Sequence, residues 1–137
     1  ELNTDFIGGS GFLSIIKTLL ENQIMTYQLK YEFNYDDAIN WEDVSNKKKI
    51  HIYRIIQESL HNIYKHASAT SIKIGIHLKN NVILLRITDD GSGFDVEKSK
   101  SGIGLKNINS RVTEINGEIS IHSNKGQGTT VQIKVPV

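Results

Sequence analysis

Four short segments of this 137-residue chain bring together side chains and backbone features suited to binding chemistry. The first is Gln57-Glu58-Ser59-Leu60-His61-Asn62-Ile63-Tyr64-Lys65-His66. At about 100° per residue, a helix here sets Glu58, Asn62 and Lys65 within about 60° of one another, with His66 beside them. One face then holds a carboxylate, an amide oxygen, an ammonium and an imidazole. An amide oxygen suits Mg²⁺, which keeps several waters and takes its other ligands from phosphates. The second segment is Ile87-Thr88-Asp89-Asp90-Gly91-Ser92-Gly93-Phe94, which follows an apolar strand pattern. A carboxylate fixed at Asp89 can accept a hydrogen bond from an exocyclic amine such as N6 of adenine. Guanine presents a carbonyl at that position, and a buried carboxylate facing it is left unpaired.

The third segment, Gly102-Ile103-Gly104-Leu105, opens a helical pattern, and amide N–H groups at a helix start favour phosphate. The fourth, Gly126-Gln127-Gly128-Thr129, precedes an apolar alternation and reads first as a hairpin turn. Each segment alone has a plain structural reading: a solvated helix face, an Asp-Gly turn, a flexible helix entry, a hairpin. A calcium loop is disfavoured at Asp89 because no glutamate follows at the required spacing. The five histidines do not fall at zinc-protease spacing.

These segments need a scaffold, and apolar periodicity supplies one. Phe12 to Tyr27 repeats at helical spacing through Phe12, Ile15, Ile16, Leu19, Leu20 and Met25. Leu29 to Tyr35 alternates through Leu29, Tyr31, Phe33 and Tyr35, as in a strand with one buried face. A polar stretch, Asp36 to Asn46, leads to a second helix from about Lys48 to Ala67, with Ile52, Ile56, Leu60, Ile63 and Ala67 as its core stripe. Strands Ser71–Leu78 and Val82–Thr88 form a hairpin across Lys79-Asn80-Asn81. A Gly- and Lys-rich loop covers Asp89 to Gly102. A third helix, Leu105–Ile115, closes on Asn116-Gly117 as a left-handed cap, and strands Glu118–Ser123 and Thr129–Val135 finish the chain. The order predicts an α+β, two-layer sandwich: a mixed, mostly antiparallel sheet of about five strands with three helices on one face. Residues 1–11 read as a linker and residues 12–137 as one domain.

Composition excludes several classes. Sixteen basic against fifteen acidic residues leave a net charge of +1, so no global field marks a nucleic-acid binder. The chain has no cysteine, which removes disulfide frameworks, thiolate metal sites and cysteine nucleophiles. No apolar run approaches the roughly 18–20 residues that span a bilayer.

In order and spacing, the acidic-amide helix, Asp-x-Gly-x-Gly, Gly-x-Gly-Leu and Gly-x-Gly-Thr closely resemble the N, G1, G2 and G3 boxes of the GHKL (Bergerat-fold) ATPases and kinases. Among these the chain is most similar to the catalytic ATP-binding domain of bacterial sensor histidine kinases with a short lid. The resemblance covers about residues 12–137. It implies that Asn62 coordinates Mg²⁺ and that Glu58, one turn earlier, supports the metal, a water or the phosphoacceptor. Lys65 and His66 would contact phosphates. Asp89 would bind adenine, with Gly91 and Gly93 shaping its loop. Gly102, Ile103, Gly104 and Leu105 would form the phosphate side of the lid, Lys98 and Lys100 would meet the γ-phosphate, and Thr129 would lie near the adenine.

The family's phosphorylated histidine sits on a separate dimerisation helix, followed closely by an acidic residue. None of His51, His61, His66, His77 and His122 follows that pattern. The resemblance therefore implies an ATP- and Mg²⁺-binding kinase domain that phosphorylates a histidine only when that helix is supplied, and that signals to a response regulator. It implies a monomeric isolated domain within a homodimeric, cytoplasmic kinase region. Two other readings share the same boxes: a serine kinase of the anti-sigma-factor type, and a non-enzymatic ATP-responsive module.

Overall fold

The computed structural model describes residues 11–66, 69–92, 103–123 and 126–137. In chain order the elements are α1 (Phe12–Tyr27), β1 (Lys30–Tyr35), a 3-10 turn (Trp41–Asp43), α2 (Asn46–His66), β2 (Ser71–Lys79), β3 (Val82–Asp89), α3 (Ile103–Glu114), β4 (Glu118–Ser123) and β5 (Thr129–Pro136). The five strands form one sheet in the order β1-β2-β3-β5-β4. β1 runs parallel to β2, and every other pair is antiparallel. The predicted α+β architecture of a mixed five-stranded sheet with three helices is the one observed.

Strand parity makes the core. Register aligns Ile72, Ile74 and Ile76 of β2 with Asp89, Ile87 and Leu85 of β3, and Ile83, Leu85 and Ile87 with Val135, Ile133 and Val131 of β5. These apolar residues are buried, while Lys73, Arg86 and Lys134 on the alternate positions are exposed. One face therefore meets the helices and the other meets solvent. From the helix layer come Phe12, Ile16, Leu19 and Leu20 of α1, Ile52, Ile55, Ile56, Leu60 and Ile63 of α2, and Ile108 and Val112 of α3.

Local chemistry sets the turns. Asn80 and Asn81, at φ 52° and 61°, supply the two left-handed residues of a two-residue hairpin loop between the paired Lys79 and Val82. At the end of α3 the left-handed residue is Asn116 (φ 56°) rather than Gly117. Gly117 serves close approach instead, since a Cβ there would stand 2.9 Å from the Lys134 carbonyl oxygen and 3.0 Å from Val112 Cγ1. α2 begins at Asn46, two residues earlier than its periodicity predicts. Ser45 caps it, its hydroxyl accepting from the Lys48 N–H at 3.2 Å.

Three expectations change. Met25 is 80% exposed, and Ile24 takes its place on the buried stripe of α1. Tyr31 is exposed although it shares the core-facing parity of β1, because β1 is an edge strand. The stretch Asp36 to Asn46 is polar in composition only. Ile39, Trp41 and Val44 are all buried, and the Trp41 ring packs on Phe12 with centroids 4.7 Å apart. This segment ties α1 to the rest of the core. Trp41→Ala is therefore expected to lose about 3–5 kcal/mol of stability, whereas Met25→Ala stays within about 0.5 kcal/mol. Denaturant unfolding checks both.

Candidate nucleotide site

Asp89 is the last residue of β3, and its parity continues the core row of Ile83, Leu85 and Ile87. The strand thus drives a carboxylate toward the helix layer at the sheet's end, where it is only 5% exposed. One oxygen accepts the Gly91 N–H at 2.8 Å, its only hydrogen bond among the described residues. Burial holds this carboxyl above the ordinary carboxylate range, the Asp90 charge adds to the effect, and the Gly91 bond offsets part of it. A buried acid with acceptor capacity to spare suits a donor brought by a ligand.

Asp89 belongs to a polar row across three strands. Register sets it opposite Thr129, and Thr129 opposite Ser123. Thr129 is buried, and its hydroxyl lies 2.7 Å from that of Ser123. The turn before Thr129 presses against the Asp89 backbone. A Cβ on Gly128, whose φ is +83°, would overlap the Asp89 carbonyl oxygen. Gly128 is thus part of the floor of the site as well as a hairpin residue.

Asp90 has the opposite chemistry. Its carboxylate accepts from the Thr70 hydroxyl at 2.7 Å and from the N–H groups of Thr70 and Ser71 at 2.8 and 2.9 Å. These bonds, the Thr70 hydroxyl first, hold its carboxyl well below the usual range. Asp90 thereby fastens the start of β2 beside the end of β3. Only four residues separate Ser71 from His66, the last residue of α2.

α2 carries Glu58, Asn62, Lys65 and His66, which is its last residue. Lys65 is exposed and Asn62 half-buried. Glu58 is three-quarters buried, and its Oε1 accepts from Arg111 Nε of α3 at 3.1 Å. Its Oε2 is buried with no hydrogen-bond partner among the described residues, as is the Ser59 hydroxyl. α3 opens with Ile103 and Gly104, and Leu105 is half-buried. Gly93, Gly102, Lys98 and Lys100 lie outside the described residues.

The structure thus brings Asp89, Gly91 and Thr129 together and sets Glu58, Asn62 and Lys65 along one helix. Sequence reasoning missed Asp90, Ser123 and Arg111. Asp90 had a local signal, a second carboxylate directly after the first. Arg111 had none, since 53 residues separate it from Glu58.

An α+β layer pair with a buried aspartate at the end of a central strand and an Asn-bearing helix in the covering layer is a frame suited to holding a nucleotide. Residues 47–137 match the family described as histidine kinase-, DNA gyrase B-, and HSP90-like ATPases, and the chain belongs to that family. It is 29% identical over 130 residues to sensor histidine kinase LiaS of Bacillus subtilis (strain 168), covering 94% of this chain and 35% of LiaS. It is 38% identical over 88 residues to sensor protein VraS of Staphylococcus aureus (strain COL), covering 64% of this chain and 25% of VraS. The chain therefore spans about a third or less of these two relatives.

The fold is that of the blue-light activated histidine kinase EL346 of Erythrobacter litoralis, with a TM-score of 0.73 at 18% identity over 90% of this chain and 41% of that one. The histidine kinase AdeS of Acinetobacter baumannii gives a TM-score of 0.72 at 16% identity over 92% and 63%. The family is thus that of the histidine kinase-, gyrase B- and HSP90-like ATPases, and within it the chain is similar to proteins named as sensor histidine kinases. Among the described residues no helix is long and apolar enough to cross a membrane.

The two aspartates predict opposite pH behaviour. Asp89 has a folded-state pKa raised above 3.8, so its stabilising protonated form is fully present below that value and is lost as pH rises through the folded one. Asp90 has a folded-state pKa below 3.8, so its contribution is present above that value and is lost as pH falls. Asp89→Asn should raise the ligand-free Tm at pH 7, with the gain shrinking toward pH 4. Asp90→Ala should lower the Tm at pH 7, and that loss should shrink in acid. Thermal melts from pH 3 to 7 test both signs.

Proposed function

We propose that this domain binds Mg-ATP with adenine at Asp89 and delivers the γ-phosphoryl to a histidine on a separate dimerisation helix, from which it passes to a response-regulator aspartate. The observation that carries the reading is Asp89 itself, a 5%-exposed carboxylate with one N–H partner among the described residues. Such a group accepts from the adenine N6 amine and repels the guanine carbonyl. Thr129, opposite Asp89 in the register, lies at the same end of the sheet. Lys65 and His66, at the end of α2, would neutralise phosphate charge, and Gly102, Ile103, Gly104 and Leu105 would offer backbone N–H groups at the start of α3. On this reading residues 12–137 act as one unit, preceded by a linker.

The residues present fit Mg²⁺ in a limited way. Among the described residues no cluster of three or more His, Asp or Glu could hold a metal ion, so the chain builds no cage. Asn62 offers a half-buried amide that hydrogen-bonds to no other described residue, a neutral oxygen suited to an ion held mainly by phosphates and water. Bound Mg²⁺ would neutralise charge on the transferring phosphoryl group. Glu58, held by Arg111 through one oxygen, would be the carboxylate that orients a water or the acceptor imidazole. The chain's contribution is positioning and electrostatics.

Kinship with named sensor histidine kinases favours a histidine acceptor over a serine one. Calorimetric titration with a non-hydrolysable ATP analogue and Mg²⁺ should give micromolar-range binding, and the GTP analogue at least about 100-fold weaker binding. Equal affinity for both would contradict the adenine assignment. Asn62→Ala should keep ATP-analogue affinity within about tenfold while lowering transfer to a supplied phosphoacceptor helix about 100-fold or more. A radiolabelled phosphotransfer assay reads that difference.

A further inference from the structure

Between α2 and α3 runs a ladder of charged and polar groups that the binding of ATP does not itself require. Arg111 Nε meets Glu58 Oε1 at 3.1 Å, and Lys47 Nζ meets Glu114 Oε2 at 3.6 Å. His51 lies between these pairs, close enough to feel the charges of Arg111, Glu114 and Lys47. Its Nδ1 is buried without a partner among the described residues. The outer pair is more than 60% exposed on both sides, which is worth little. The inner pair differs, with side chains 31% and 24% exposed.

The inner pair is also incomplete. Arg111 satisfies one carboxylate oxygen of Glu58 and leaves the other buried and unpaired. A pair shaped for stability alone would place the guanidinium to bridge both oxygens. Arg111 instead fixes the carboxylate by one edge and leaves the second oxygen with its acceptor capacity unused.

We propose that Arg111 is a positioning residue, which fixes the rotation of the Glu58 carboxylate by one edge and so holds it in the orientation that phosphoryl transfer uses. This rests on the reading of Glu58 as an acid on the transfer side of the site. Arg111 acts through Glu58. A lysine there would lack the planar fork that sets the carboxylate's rotation, so charge alone is an incomplete replacement.

The test is a double-mutant cycle with three readouts: melting temperature, affinity for the Mg-ATP analogue, and transfer rate to a phosphoacceptor helix pair supplied in trans. Arg111→Met is expected to keep analogue affinity within about threefold and to lower the transfer rate by about tenfold or more. Arg111→Lys should recover part of that loss. In a Glu58→Gln background, Arg111→Met should cost little further, because the two groups act as one unit. Arg111→Met transferring at the parental rate, or the two losses multiplying in the double variant, overturns the proposal while leaving Glu58 in its role. A parallel loss of stability, affinity and transfer in both Arg111→Met and Arg111→Lys overturns it as well, since that marks a structural brace. Parental transfer by Glu58→Gln overturns the reading of Glu58 and this proposal together. Absence of analogue binding by the parental domain is separate from all of these and strikes at the nucleotide site.

Discussion

Burying a carboxylate at the end of a central strand works against folding, and the rest of this domain is arranged around that cost. Asp89 faces the helix layer because β3 alternates strictly, so the parity that buries Ile83, Leu85 and Ile87 also buries the acid. Within the described residues it receives a single backbone N–H, which leaves its carboxyl shifted upward by desolvation. A protein selected for stability alone would place an apolar residue there. Retention of an acid is intelligible when a ligand brings the missing donor, and the binding free energy offsets the penalty.

The surrounding structure keeps that acid in place. β5 lies alongside it through the Asp89–Thr129 pair, and Gly128 lets the turn backbone come into contact with the Asp89 carbonyl. Asp90 binds Thr70 and Ser71, so the entry of β2 cannot drift from the exit of β3. The inner face of α2 is core and its outer face carries Asn62 and Lys65. α3 is joined to α2 through Arg111 and Glu58. On the proposed reading, the residues for the base and those for the phosphates are held in one frame by backbone register, a carboxylate clamp and one half-buried ion pair.

The sequence made much of this frame legible because its periodicities are clean. β2, β3 and β4 read almost residue for residue, and the Asn-Asn hairpin loop was visible from its chemistry. The segment from Asp36 to Asn46 was opaque because Ile39, Trp41 and Val44 recur at intervals of two and three, which match neither a strand nor a helix. Lys49 misleads in the same way. Its side chain is ionisable, yet it is buried at the head of the α2 core stripe, where burial pushes its ammonium below the ordinary range. On the site side, motif order pointed to Asp89 and Asn62, but not to what surrounds them. The Asp90 clamp and the Arg111–Glu58 pair join residues 20 and 53 apart, and no local pattern encodes such meetings.

The central claim is that the buried Asp89 carboxylate awaits an amine donor from adenine. Its most direct test is a pH titration of the Asp89 side-chain carboxyl by carbon-13 NMR, without ligand and then saturated with Mg-ATP analogue or Mg-GTP analogue. The ligand-free domain should titrate above the ordinary value of 3.8, and the ATP analogue should move the midpoint downward by stabilising the charged form. The GTP analogue should leave the midpoint where it was. A midpoint unmoved by a saturating ATP analogue would contradict the account, because the carboxylate would then not be the group that reads the base.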